Sequence, residues 1–87
     1  MDTIIKGEKI KWIVTNVIPN KDYTLLITFI TGEKKIFDFK KIMDKKTFEP
    51  LKNINLFLKA HVESGTVAWN DDIDIAPEYL YDNSENI

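Results

Sequence analysis

The chain has 87 residues with no cysteine, twelve lysines but no arginine, fourteen acids and one histidine, for a net charge of −2. This length supports one core, and the missing cysteine excludes disulfide staples, thiolate catalysis and thiolate-bound zinc. A hydrophobic share of 44% excludes a disordered chain, and the lack of arginine removes the planar fork that grips phosphate or guanine.

The first residues, Met1 to Lys6, lack the basic start and apolar stretch of a signal peptide, and no apolar run approaches about 18 residues. The chain therefore reads as cytoplasmic, without a membrane span. From Lys11 to Ile18 a β-branched run meets Pro19-Asn20-Lys21-Asp22, which predicts a strand and its exit turn. Tyr23 to Ile30 predicts a second strand, Thr31-Gly32-Glu33 a turn using glycine at positive φ, and Lys34 to Phe39 a third strand. In the second strand Tyr23, Leu25, Ile27 and Phe29 share one face, while Leu26 and Ile30 stand on the other beside Thr24 and Thr28. Both faces are partly apolar. Such a strand is either central and covered on both sides, or has one face buried by a second subunit; in so short a chain the homodimer is the favoured reading.

Lys40 to Lys46 suits one or two helical turns, with Asp38 placed as a cap, and Thr47 to Asn53 suits a single short turn around Pro50. Asn53 to Phe57 is read as another tight turn. Leu58 to Glu63 and Thr66 to Trp69 predict two short strands about Ser64-Gly65, with Val67 and Trp69 pointing inward. Residues 70–74 read as a polar loop, and Pro77 is preset for the first turn of a short helix through Tyr81. Residues 82–87 are expected to be a flexible tail, leaving a core of about 10–81 in a single domain 1–87.

Charge is unevenly placed. Residues 1–60 hold all twelve lysines against seven acids, and residues 61–87 hold seven acids and no lysine. Ordinary solvated faces would account for this, and so would a docking surface for a small basic protein, with Asp71, Asp72, Asp74, Glu78 and Asp82 as its candidate contacts. The same aspartates have oxygen ligands to offer a hard cation, but the glycine and distal glutamate of a calcium loop are missing, so solvated turn residues are the simpler reading, with Asp74 capping or charging the start of the last helix. His61 falls on a polar strand face between Lys59 and Glu63, with no nucleophile beside it in sequence, and reads as an exposed strand residue rather than a general base. The lysine pairs at 34–35, 40–41 and 45–46 interleave with Phe37 and Phe39, but those rings fit a core better than a stacking platform, so nucleic acid is an unfavoured partner. No pattern calls for a catalytic residue, a metal or a cofactor.

Several segments together resemble a known family: Tyr23 to Phe29 leading into Thr31-Gly32-Glu33 and on to Asp38, Phe48-Glu49-Pro50-Leu51, Phe57, Gly65 to Trp69, and Asp74-Ile75-Ala76-Pro77-Glu78-Tyr79-Leu80-Tyr81. This pattern is similar to the bacterial family called domain of unknown function 2442, over roughly residues 10–81. The resemblance implies an α+β fold, a three-stranded antiparallel meander plus a second β-hairpin with two or three short helices. It implies no established enzymatic activity. Genes of similar proteins often sit beside those of another small family, an arrangement read as toxin–antitoxin-like. Some relatives add a helix-turn-helix domain as a carrier for DNA binding, which is not expected within these 87 residues; a nucleic-acid-associated transcriptional regulator is the alternative to a non-enzymatic protein-interaction module. Many relatives have Pro where this chain has Asn70, a departure expected to loosen that turn. The shared residues read as packing, with Gly32 at the hairpin, Phe29 and Phe57 in the core, and Trp69, Tyr79, Leu80 and Tyr81 holding the last helix to the sheet.

Overall fold

The computed structural model describes residues 11–87. Its first half is the expected meander: β1 (Val14–Pro19), β2 (Thr24–Phe29) and β3 (Lys34–Asp38), paired antiparallel in chain order. Strict alternation drives it, since Leu25, Ile27 and Phe29 are buried while the residues between them are only partly covered. The turns use left-handed backbone where the chain must reverse. Gly32 sits at φ +90° between β2 and β3. Tyr23, at the end of the β1–β2 turn, holds φ +68° despite its bulk, because its ring packs 4.9 Å from that of Phe57 and its hydroxyl donates to the Lys52 carbonyl.

After β3 the chain makes two 3₁₀ segments, Phe39–Lys41 and Lys46–Lys52, and one turn of helix, α1 (Ile54–Phe57). Asp38 caps the first as expected, accepting from the Lys40 amide at 3.0 Å. Asn53 caps α1 by accepting from the Asn55 amide at 2.9 Å. The anticipated hairpin follows as β4 (His61–Glu63) and β5 (Thr66–Asn70), with positive φ at both Ser64 and Gly65, the geometry whose twist suits a two-residue hairpin.

Three expectations change here. Residues 70–74 are not all loop: β6 (Ile73–Ile75) pairs with β5, because Ile73 and Ile75 bury their side chains on either side of exposed Asp74. Asp74 is therefore a strand residue, and the last helix, α2 (Pro77–Asn83), has Ala76 at its N-cap position and no side-chain cap. The segment 82–87 is not a simple tail, since α2 continues to Asn83 and β7 (Glu85–Asn86) pairs with β3. The result is an α+β fold with two antiparallel sheets, β1-β2-β3-β7 and β4-β5-β6.

One aromatic cluster joins them. Phe39, fully buried, has its ring within 5.2–6.1 Å of Phe37, Phe48, Phe57 and Trp69, which come from the first sheet, the helical connection and the second sheet. Trp69 also donates its indole N–H to the Phe57 carbonyl at 2.9 Å, so its one polar atom is satisfied inside the core. A backbone bond of 2.9 Å from the Val14 amide to the Gly65 carbonyl ties β1 to the β4–β5 turn.

Candidate functional site

The β4–β5–β6 register decides where the acidic residues meet. His61 pairs with Ala68, and Ala68 with Asp74, while Glu63 pairs with Thr66. Directly opposed residues share a face, so His61, Glu63, Thr66, Ala68 and Asp74 lie together on the side of the sheet away from Val67, Ile73 and Ile75. Glu63, Asp71 and Asp74 border a shallow polar cleft there, with Ser64, Thr66, Ala68 and Asn70 as its remaining walls. Ala68 stands between His61 and Asp74 in this register, with Glu63 opposite Thr66 toward the β4–β5 turn.

Asn70 shapes the end of this cleft. Its side-chain carbonyl accepts from the amides of Asp72 at 2.8 Å and Ile73 at 2.9 Å, closing the turn into β6. The turn is thus tightened by Asn70 and not loosened, since a proline there would have no side-chain acceptor.

Beside the cleft lies an apolar groove of about 260 Å³, floored by Ile42, Phe48, Ile75, Ala76 and Tyr79. Lys45 and Asp74 are its charged walls. The volume exceeds the roughly 150 Å³ apolar cavity that accommodates a benzene ring, so one leucine or phenylalanine side chain fits. Tyr79 stands on edge against Phe37, their ring centroids 6.0 Å apart, and leaves 39% of its own surface exposed at the groove. Asp74 borders both the groove and the cleft, so carboxylates stand within one side chain of an apolar slot.

The expected contact residues divide between two places. Asp71 and Asp74 come together with Glu63, and Asp72 is exposed in the adjoining turn. Glu78 and Asp82 stand one helical turn apart on exposed positions of α2. Among the described residues none of these five acids makes a salt bridge. Glu63 does: its carboxylate lies 3.1 Å from His61 Nε2, while His61 Nδ1 lies 3.0 Å from the Lys59 carbonyl. Two acceptors favour two N–H donors, and the imidazole pKa is raised, first by the Lys59 carbonyl and then by Glu63. With no nucleophile in this arrangement, His61 has the surroundings of a surface cation.

A second polar cluster fixes α2. Lys35, the buried lysine of β3, places Nζ 3.8 Å above the Tyr81 ring and 3.0 Å from the Tyr81 carbonyl. The Tyr81 hydroxyl donates to Glu33 at 2.5 Å, which holds the Glu33 carboxyl below its usual range and pushes the tyrosine up. This cluster joins strand to helix through internal partners. Phe37 and Phe39 are fully buried, so the lysine-flanked rings offer no stacking surface for bases.

Among the described residues no group of three or more His, Cys, Asp or Glu side chains is arranged to hold a metal ion, and no helix is long and apolar enough to cross a membrane. The model of one protein family, described as a protein of unknown function (DUF2442), matches residues 14–86. Neither the curated proteins nor the solved structures yielded a match.

Proposed function

The chain belongs to the DUF2442 family, matched over nearly its whole length, and from that footing we propose that it is a non-enzymatic protein-interaction module whose partner is a small basic protein. The observation that carries this reading is the position of Asp74, shared by the apolar groove and the acidic cleft. Productive interfaces combine an anchoring side chain in a desolvated pocket with complementary charge around it. An apolar residue of the partner enters between Phe48, Ile75 and Tyr79, and its neighbouring cations face Asp74, Asp71 and Glu63. A toxin–antitoxin-like pair, with the partner encoded by the adjacent gene, is the setting this implies. The buried Phe37 and Phe39 favour this reading over nucleic-acid regulation.

Co-expression with the adjacent gene's product tests it. The two chains are expected to copurify at low salt, and the double change Asp71→Asn with Asp74→Asn is expected to weaken the pair by about tenfold or more, as lost charge complementarity predicts. Tyr79→Ala, which empties one wall of the groove, should weaken it independently of salt. Failure to copurify, or a complex indifferent to all three changes, would remove the proposal.

A further inference from the structure

The outer side of the first sheet carries a pattern of its own. Cross-strand pairing sets Ile18 opposite Leu26 and Leu26 opposite Ile36, so three aliphatic side chains form one row across β1, β2 and β3 on the face away from the core. Ile18 is 47% exposed, and Leu26 and Ile36 are half-buried, with Lys41 and Glu85 bordering Ile36 at the β3 end of the row. The positions on either side of this row are polar, with Asn16, Thr28 and Lys34 in register on one side and Thr24 and Asp38 on the other.

That arrangement is complementary to itself. Lys34 and Asp38 stand two residues before and two after Ile36, at equal distances along β3. Turning a second sheet over about an axis along the aliphatic row stacks row on row and brings Lys34 of each copy to Asp38 of the other. Asp38 already meets the Lys40 amide and ammonium, both through Oδ1, which leaves its second carboxylate oxygen for a further cation. Glu85, opposite Ile36 on β7, ends the row at the exposed sheet edge, where solvent and salt screen it from its counterpart in the second copy. Three strands of five or six residues give a footprint of roughly 15 by 20 Å. Doubled over two copies this is roughly 600 Å², the size of a weak, transient contact.

We propose that this face is a self-association surface, on which a second copy of the chain packs about a two-fold axis along the Ile18, Leu26, Ile36 row. The interface is separate from the groove and cleft bordered by Asp74, so the dimer keeps both docking surfaces open. Its modest area makes it dissociate on dilution.

Sedimentation equilibrium of the full chain over a range of concentrations tests the proposal. A monomer–dimer equilibrium is expected, with Leu26→Thr raising the dissociation constant at least about tenfold. Threonine suits a strand and matches its neighbours Thr24 and Thr28, and circular dichroism with a cooperative melt confirms the fold. Should that variant not fold, Ile18→Thr at a more exposed position gives the same reading. Ile30→Thr is the control: Ile30 is 48% exposed but lies four residues beyond Leu26 and off the row, so it is expected to leave the dimer unchanged. A monomer at all concentrations, a dimer indifferent to the row changes, or equal sensitivity to Ile30→Thr would each overturn the two-fold packing. None of these outcomes depends on whether a basic partner binds.

Discussion

His61 is held by two acceptors at once, the Lys59 carbonyl and the Glu63 carboxylate, and both favour its protonated form. As the single histidine of the chain, it gives an isolated ring signal in NMR. Its titration is expected above the ordinary value of 6.5, and Glu63→Gln should move it back toward that value. Because the folded pKa is the raised one, the stabilisation from this contact is complete below the unfolded value and fades as pH rises through the folded value. The melting temperature of Glu63→Gln should thus fall short of the parent's in mildly acidic solution and approach it in alkaline solution; an unchanged gap across that range would contradict the assignment. Residues of this kind differ in how legible they are. Gly32, Trp69 and Phe57 declare themselves by type, since a turn glycine and large aromatics have few alternative uses. Glu63 declares only half its role. Alternation puts it beside His61, but its place in the cleft follows from the register of β4 on β5, which brings it toward Asp71 and Asp74 across the turn.

At the scale of elements, α2 is held to β3 by the Tyr79–Phe37 ring contact and by one polar contact at its C-terminal end. Lys35 sits over the Tyr81 ring and bonds the Tyr81 carbonyl in the helix's last turns, where backbone carbonyls lack helical partners. Lys35→Met keeps the apolar stem but removes the ammonium, and is expected to cost about 1–3 kcal/mol in urea unfolding. Amide exchange should quicken first at Leu80 and Ser84, whose N–H groups close the helix; uniform quickening across both sheets would count against a local role. The helix was legible from Pro77 and the aromatic run after it, and the meander from β-branched alternation. Two strands were not. β6 is three residues long, with an aspartate between its two buried isoleucines and two more aspartates before it, so composition argues for a loop. β7 is Glu85 and Asn86, two polar residues held by backbone pairing, which leaves no side-chain periodicity to read.

Across the whole molecule, opposite needs are met on different surfaces. The second sheet turns carboxylates outward around Ala68, and the first turns an aliphatic row outward between Lys34 and Asp38. The acidic tilt of residues 61–87 was visible in the sequence, whereas the groove beside it was not, because Ile42, Phe48, Ile75 and Tyr79 are brought together from four separate segments. Phe39 has a further consequence. Its ring is the point at which both sheets and the helical connection meet, yet the chain that links Phe37 and Phe39 to Phe48, Phe57 and Trp69 passes through exposed Asp44, Lys45 and Lys46. A protein severed between Asp44 and Lys45 would therefore consist of two fragments that each lack half of the cluster and cannot fold alone. Mixed, they should reconstitute the fold by complementation, with Trp69 fluorescence shifting to the blue as its indole leaves water; a fragment already structured by itself would show that the cluster is not the molecule's single seam.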